Sequence, residues 1–172
     1  YNQYNLNAVL TVAQAVFGIK KETVYESLNT FKPAFGRQEV IDVGDKRVML
    51  LLAKNPTGFN ESLKVAIDNK SCSLLILLND RIPDGLDISW IWDVDFEVLE
   101  GKNIQVFVSG DRAYDMANRL IFAGVTHEVF DNYEKAYKES LNYIKNEEML
   151  TILPTYSAML EVRKLISGKG IL

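Results

Sequence analysis

The stretch that decides the fold is SLLILLNDRIPDGLDISWIWDVDFE, residues 73–97. It opens with Ser73 and an apolar run over 74–78, and it turns polar at Asn79. A short apolar run between polar segments is typical of a strand buried on both faces, as the strands of parallel sheets are. We therefore predict a buried strand over 73–78, followed by an acidic loop over 79–95.

Outward from this strand, apolar strands alternate with amphipathic helices. Strands are predicted over 47–53, 104–109, 127–130 and 150–154, and helices over 60–68, 112–122, 133–145 and 155–166. The alternation predicts a Rossmann-like α/β domain with a mostly parallel sheet covered by helices on both faces. Such sheets bind ligands at the carboxyl ends of their strands, so the polar segments after three of the strands should lie along one edge.

A short helical segment is predicted before this domain. Apolar residues recur at helical spacing over 5–17, and a shorter helical pattern follows before Pro33. Pro33 and Gly36 then mark a change to an extended pattern. We expect a helical segment over residues 1–35 and an α/β domain over residues 36–172. The helical start without a methionine suggests a piece of a longer protein.

Composition and charge argue against several classes of protein. Nineteen basic residues against 23 acidic ones give a charge of −4 with no local basic cluster, which argues against nucleic-acid binding. Cys72 is the only cysteine, so neither a disulfide nor a thiolate metal site is expected. The apolar runs fall far short of the roughly 20 residues that span a bilayer. We expect a cytoplasmic protein with no transmembrane segment and no metal site.

The acidic loop mixes carboxylates with large apolar rings. Both tryptophans, Trp90 and Trp92, lie among acidic residues: Asp80, Asp84, Asp87, Asp93, Asp95 and Glu97. Exposing both indoles would forgo burial worth roughly 2 to 3 kcal/mol each, so part of the loop must pack on its own domain or on a partner. Carboxylates beside rings are candidates for catalytic work, and structural ion pairs produce the same pattern.

The other two strand ends have simpler interpretations. After the strand at 47–53, Pro56 and Gly58 are turn residues, and Asn60 is predicted to cap the next helix. After the strand at 104–109, Asp111 is predicted to cap a helix and to complement its dipole. The sequence has no G-x-x-x-x-G-K-[ST] phosphate loop and no G-x-S-x-G elbow, so it offers no self-contained nucleotide site or nucleophile.

Several segments together resemble one family, MurT, the Mur-ligase-like subunits of the bacterial lipid II isoglutaminyl synthases. YNQYNLNAVLTVAQA (1–15) resembles the end of a Mur ligase central domain, and FGRQE (35–39) the Gly-Arg element that opens the carboxy-terminal domain. AKNPTGFNESL (53–63) resembles the strand-turn-helix that follows its first strand. DGLDISWIWDVDFE (84–97) is similar to the stretch that separates MurT from ordinary Mur ligases, and LPTYSAMLEVRKL (153–165) adds a matching tail.

The resemblance implies part of an ATP-dependent amidotransferase that works with a GatD glutaminase subunit. In the family, ATP with Mg²⁺ activates the D-glutamate carboxylate of the lipid II stem peptide as an acyl phosphate. Ammonia that GatD releases from glutamine then converts it to D-isoglutamine. The family's ATP phosphate loop would lie upstream of residue 1, so this piece alone is expected to be inactive. The complex is expected to work at the cytoplasmic face of the membrane, where lipid II resides.

The resemblance also implies roles for residues of the acidic loop. Asp87 matches the MurT aspartate that completes the Cys-His pair of GatD across the interface. Asp84 and Asp93 are rival candidates because they lie close by in the sequence. A carboxylate in such a triad orients the imidazole and stabilises its protonated form while the cysteine attacks the glutamine amide.

Nucleotide contacts carry over only in part. Arg37 matches the Gly-Arg element and is expected to reach ATP phosphate, while Lys54 and Asn55 match the turn after the first strand. Many Mur ligases have an acidic residue or a histidine before that turn, where this chain has Leu51 and Leu52. Contacts beyond Arg37, Lys54 and Asn55 are therefore not carried over.

Two other functions fit the sequence. One is a domain of an ordinary amino-acid-adding Mur ligase, in which the acidic loop is merely structural. A glutaminase-like gene beside this one would argue against that function. The other is a non-catalytic docking module, with Trp90 and Trp92 as buried anchors of a protein interface.

Overall fold

The structure, a computed structural model, describes residues 3–31 and 37–167. The chain divides into two compact units, Tyr1–Ala34 and Phe35–Leu172. The first contains the helices α1 (Gln3–Ala15) and α2 (Lys21–Thr30). That this unit is the end of a Mur ligase central domain stays a prediction.

The second unit is built on one sheet. Its elements in chain order are β1 (Arg37–Val43), β2 (Lys46–Leu51), α3 (Pro56–Asp68), β3 (Ser73–Leu77), β4 (Gln105–Ser109), α4 (Ala113–Phe122), β5 (His127–Val129), α5 (Tyr133–Tyr143), β6 (Met149–Pro154) and α6 (Tyr156–Ser167). Two short 3₁₀ helices, Ser89–Asp93 and Phe96–Leu99, lie between β3 and β4. The strand order is β1-β2-β6-β3-β4-β5, and every neighbouring pair is parallel except β1 with β2.

Side chains alternate across the sheet and build two cores. Leu74 and Ile76 of β3 point to the face covered by α3, α4 and the 3₁₀ segment. Leu75 and Leu77 point to the face covered by α5 and α6. Because both faces are covered, every residue of β3 is buried. The prediction of an α/β fold with a mostly parallel, doubly covered sheet is confirmed.

Two details of the sequence interpretation are wrong. No strand is predicted where β1 lies, yet β1 pairs antiparallel with β2 through a two-residue turn at Gly44 and Asp45. More than half of the residues of β1 are polar, so this edge strand lacks the apolar run that marks a strand buried on both faces. Helix α3 begins at Pro56 and not near residue 60, because Asn55 caps it by accepting a hydrogen bond from the Gly58 amide at 2.8 Å.

The predicted cap Asn60 has a different role. It lies inside α3, and its side-chain oxygen accepts a hydrogen bond from the Asp95 amide at 2.9 Å. Asn60 therefore ties α3 to the end of the acidic loop. No helix of the described residues is long and apolar enough to cross a membrane.

Candidate functional site

The carboxyl ends of the parallel strands meet at one edge of the second unit. Strands β2, β6, β3 and β4 are neighbours and run in the same direction, so the segments that leave them lie side by side. Hydrogen bonds join the segments that follow β3, β4 and β6. Sequence reasoning predicts this edge as the site of the chemistry.

Asn79, at the start of the acidic loop, is the centre of this edge. It is 1% exposed, and its side-chain oxygen accepts hydrogen bonds from the Asp111 amide and the Tyr133 hydroxyl. Its side-chain amide donates to the Ser157 hydroxyl at 2.8 Å, and its backbone amide donates to the Thr155 hydroxyl at 3.1 Å. One buried side chain therefore links segments that are far apart in the sequence.

Burial also perturbs Tyr133. Removal from water raises the pKa of its phenol to about 12, against the opposing effect of its hydrogen bond to Asn79. A phenol with this pKa stays protonated at neutral pH. Tyr133 therefore acts at this edge as a hydrogen-bond donor to Asn79.

Asp84, a rival candidate for the triad, is buried and already bonded. It is 8% exposed, and its two carboxylate oxygens accept hydrogen bonds from the Ser157 amide, at 2.7 Å, and from the Ser157 hydroxyl. Ser157 lies in the first turn of α6, where backbone amides have no partner within the helix. Asp84 therefore caps α6 from a distant part of the chain.

Asp87 has the opposite environment. It is exposed, and one of its carboxylate oxygens accepts a hydrogen bond from the Ser89 amide at 2.8 Å. The Ser89 backbone amide, and after it the Ser89 hydroxyl, lower the pKa of the Asp87 carboxyl. Asp87 is therefore a solvent-facing carboxylate that stays ionised at neutral pH. The third candidate, Asp93, is also exposed, at the end of the first 3₁₀ helix.

A groove opens beside Asp87. It has a volume of about 280 Å³ and lies between the loop and α4, lined by Leu86, Asp87, Ile88, Ser89, Ile91, Trp92, Arg112, Asp115 and Asn118. Two large apolar side chains of its lining face solvent, since Leu86 is 73% and Trp92 49% exposed. The groove thus combines a carboxylate with exposed apolar surface.

The two tryptophans of the loop differ in environment. Trp90 is partly buried against the core, and its ring lies 6.1 Å from that of Phe59. Trp92 is more exposed and packs edge to face on Phe122 at 5.4 Å. Trp90 therefore fastens the loop to its own domain, and Trp92 is the more solvent-accessible of the two indoles.

Arg119 of α4 is a structural residue of the site that sequence reasoning missed. Its side chain is 6% exposed and donates to the Val94 carbonyl at 2.6 Å and to the Glu97 carboxylate at 2.9 Å. Its guanidinium also lies over the rings of Trp92 and Phe96, at 5.7 and 5.3 Å. Arg119 thereby holds the 3₁₀ segment on α4, and it lowers the pKa of Glu97 through their hydrogen bond.

Asp111 does not cap α4, contrary to the sequence interpretation. The N-cap residue of this helix, Arg112, makes no capping hydrogen bond through its side chain, and Asp111 instead accepts two hydrogen bonds from Arg81, at 2.7 and 3.1 Å. Arg81 also pairs with Glu161 of α6. These groups are about 40% exposed, so the pairs orient the loop more than they stabilise it.

Comparison with known proteins identifies the family. The family described as MurT ligase C-terminal matches residues 52–159. The chain belongs to this family. Its match covers the whole acidic loop, including Asp84, Asp87 and Asp93, together with the turn at Lys54 and Asn55.

Two curated relatives carry the same subunit name, lipid II isoglutaminyl synthase (glutamine-hydrolyzing) subunit MurT. The one from Streptococcus pneumoniae is 34% identical over 175 residues, covering 99% of this chain and 39% of the relative. The one from Staphylococcus aureus is 31% identical over 161 residues, covering 92% of this chain and 36% of the relative. The chain thus spans less than half the length of these MurT subunits.

Solved structures show the same fold at low identity. MurF from Acinetobacter baumannii superposes with a TM-score of 0.67 at 15% identity, over 89% of this chain and 35% of that one. A folylpolyglutamate synthase/dihydrofolate synthase from Yersinia pestis, complexed with AMPPNP and a Mn ion, gives a TM-score of 0.57 at 15% identity. It covers 86% of this chain and 34% of that one. The MurT C-terminal region therefore has a Mur ligase-like fold.

The predicted nucleotide contacts fall on the turn after β2 and on β1. Lys54 is exposed, and Asn55 uses its side-chain oxygen to cap α3. Arg37 begins β1, and its side chain lies outside the described residues. Within the described ranges, no group of three or more His, Cys, Asp or Glu side chains is placed to hold a metal ion.

Proposed function

We propose that this chain is the carboxy-terminal region of an ATP-dependent, glutamine-using amidotransferase that amidates the D-glutamate of the lipid II stem peptide. In this function the region docks a GatD-like glutaminase and contributes Asp87 to its active site. The complex works at the cytoplasmic face of the membrane. The observation that carries the proposal is the exposed, ionised Asp87 carboxylate on a well-anchored loop beside apolar surface.

Asp87 suits a triad completed across an interface. A catalytic carboxylate must reach the partner's histidine, accept its ring N–H and remain ionised. Asp87 is exposed, and the Ser89 amide both orients it and lowers its pKa. In this arrangement Asp87 would hold the imidazole in the tautomer that takes the proton from the glutaminase cysteine, whose thiolate then attacks the glutamine amide.

The rival Asp84 suits this role poorly. Both of its oxygens are bonded to Ser157, and the side chain is buried. Reaching a partner's histidine would break these bonds and leave buried donors unsatisfied, at a cost of about 1 to 3 kcal/mol each. Asp93 is exposed and remains the competitor that experiment must separate from Asp87.

Docking would use the apolar surface beside the groove. Leu86 and Trp92 line the groove together with Asp87, and Phe122 packs on Trp92 while being 71% exposed. Large exposed rings next to a functional carboxylate are typical of interface anchors. Burying them under the glutaminase would also exclude water from the completed triad.

In the proposed function, this region contributes few contacts to the nucleotide. Lys54 is an exposed cation at the carboxyl end of β2, which fits recognition of an anionic phosphate. The side-chain oxygen of Asn55 already accepts the hydrogen bond that caps α3. ATP with Mg²⁺ would supply the phosphoryl group that activates the D-glutamate carboxylate, and this region alone would not turn over.

Replacing Asp87 by Asn in the full-length, two-subunit complex tests the proposal. Glutamine hydrolysis should fall about 10³- to 10⁴-fold, because an amide stabilises the wrong tautomer of the histidine without altering the shape of the loop. Amidation supplied directly with ammonium ions should be unchanged, since it bypasses the glutaminase. Steady-state assays with glutamine and with ammonium measure the two effects separately.

Asp68→Asn is the matched control. Asp68 is an exposed aspartate at the far end of α3, away from the edge that carries the loop. It should leave both activities unchanged. Undiminished glutamine hydrolysis by the Asp87→Asn complex would remove Asp87 from the mechanism, and a loss on Asp93→Asn instead would assign the role to Asp93.

A further inference from the structure

The segment that carries Asp87 runs between two anchors. Asp84 is buried at one end, and Ile88 packs against the core at the other. The residues between them, Gly85 to Asp87, are exposed. The position of Asp87 therefore depends on how firmly these two anchors are held.

The Asp84 anchor is built from several elements. Asp84 accepts from the amide and the hydroxyl of Ser157, and that hydroxyl in turn accepts from Asn79. The Asp84 amide donates to the Arg81 carbonyl at 2.8 Å, which closes a turn before the anchor. The chain is thus fixed to the amino terminus of α6 three residues before Asp87.

A carboxylate is well matched to this position. The Ser157 amide, in the first turn of α6, donates to Asp84, and the positive end of the helix dipole favours a negative charge there. A neutral side chain of similar size could replace only part of this interaction, because hydrogen bonds to charged groups are the stronger ones. A carboxyl side chain at position 84 therefore serves the geometry of the loop.

We infer that Asp84 is a positioning residue: bound to Ser157 at the start of α6, it holds the loop so that the Asp87 carboxylate is presented to the partner's histidine. The inference rests on the proposed role of Asp87. It assigns different roles to two aspartates three positions apart: Asp87 contacts the partner, and Asp84 positions Asp87.

A double-mutant cycle in the full-length complex tests this inference. Glutaminase kcat is measured for the wild type, Asp84→Ala, Asp87→Asn and the double variant. Asp84→Ala alone should lower kcat by about 10- to 100-fold, the loss expected from a misplacement of about 1 Å. In the Asp87→Asn background, the same substitution should lower kcat by less than about 2-fold, because position 87 no longer has a carboxylate to be positioned.

A milder variant keeps the test decisive if Asp84→Ala weakens folding. Ser157→Ala removes the hydroxyl but keeps the backbone amide that bonds Asp84, so it should lower kcat less than Asp84→Ala and show the same dependence on Asp87. Amide hydrogen exchange should accelerate over residues 85–89 in both variants and stay unchanged over β4. Asp68→Ala, at the far end of α3, should change none of these quantities.

The results separate this inference from the proposed function. Equal losses from Asp84→Ala in both backgrounds, or unchanged exchange over residues 85–89, overturn the positioning role while leaving Asp87 in the mechanism. Wild-type turnover by Asp87→Asn overturns the proposed role of Asp87, and this inference with it. A loss that depends on Asp87, accompanied by faster exchange in its segment, supports both.

Discussion

The turn after β2 and the loop after β3 leave the same edge of the sheet. The turn is held by a hydrogen bond between residues close in the sequence, and the loop by hydrogen bonds between residues far apart in the sequence. In the turn, Asn55 bonds the Gly58 amide, three residues along the chain. In the loop, Asn79 and Asp84 both bond Ser157 of α6, which is far away in the sequence. The turn can form with its own helix, whereas the order of the loop depends on the completed fold.

The largest expected effect concerns the close packing where β3 gives way to the loop. Gly110 has a φ of +115°, and a Cβ there would lie 2.3 Å from the Leu78 carbonyl oxygen. Gly110→Ala should lower the free energy of unfolding by about 2 to 5 kcal/mol, through backbone strain and overpacking. Hydrogen exchange of the β3 amides in the full-length protein measures this change.

Gly44→Ala provides the matched comparison. Gly44 also has a positive φ, +59°, but a Cβ there would meet no atom within 4 Å. Only the backbone strain remains, so the loss should be about 1 to 2 kcal/mol. Equal losses at the two glycines would show that the contact with Leu78 is relaxed without cost.

The second prediction compares the two asparagines directly. Asn79→Ala would leave the Asp111 amide and the Tyr133 hydroxyl, both in partly buried hydrogen bonds, without their acceptor, and should cost about 2 to 4 kcal/mol. Asn55→Ala removes one exposed cap and should cost about 1 kcal/mol. Hydrogen exchange of the β3 amides measures the loss of stability in both variants. Equal losses would contradict the difference between anchoring by distant residues and anchoring by local ones.

The third prediction separates the two tryptophans. Trp92→Ala should weaken binding of the glutaminase about 10-fold or more, roughly 1.4 kcal/mol, because its exposed ring is proposed to be an anchor. Titration calorimetry with the full-length subunits measures this affinity. Tyr25→Ala, a change of an exposed ring in the first unit, is the control and should leave the affinity unchanged.

Trp90→Ala should act mainly on stability, because Trp90 packs on Phe59 inside its own domain. A Trp92→Ala subunit that binds the glutaminase with full affinity would contradict its role as an anchor. The docking surface would then have to be sought elsewhere.

The smallest effect is a shift in the pKa of Asp87. Its folded-state pKa is lowered by the Ser89 amide and hydroxyl, so the resulting stabilisation is present above the pKa of an unstructured aspartate. It is lost as the pH falls through the folded-state value. Ser89→Ala keeps the amide and removes the hydroxyl, so it should raise the pKa of Asp87 part of the way back. A carboxyl NMR titration that shows no change would exclude the hydroxyl as a cause.

The sequence predicts most of the strands and helices because their signals are local. Apolar runs mark β2, β3, β4 and β6, and their alternation with helices predicts the shared edge at which the site lies. The apolar pattern does not predict β1, although Gly44 and Asp45 between two extended segments are a hairpin signal. The sequence also contains a signal for the helix cap at Asn55, because Pro56 follows it directly and proline is favoured at the first position of a helix.

The internal construction of the site could not be predicted in the same way. Ser157, Tyr133 and Arg119 look ordinary in the sequence, and their roles arise only when the fold brings α6, α5 and α4 to the loop. For the same reason, sequence proximity made Asp84 a rival of Asp87. The structure distinguishes the two residues, because Asp84 is buried against α6 and Asp87 is exposed.

The most direct test of the central claim is a structure of the full-length complex with its glutaminase, from which one distance is measured. The account predicts a carboxylate oxygen of Asp87 within about 3 Å of a ring nitrogen of the partner's catalytic histidine. It also predicts that Asp84 remains bonded to Ser157. A histidine that instead contacts Asp93, or no carboxylate of this chain, would contradict the account.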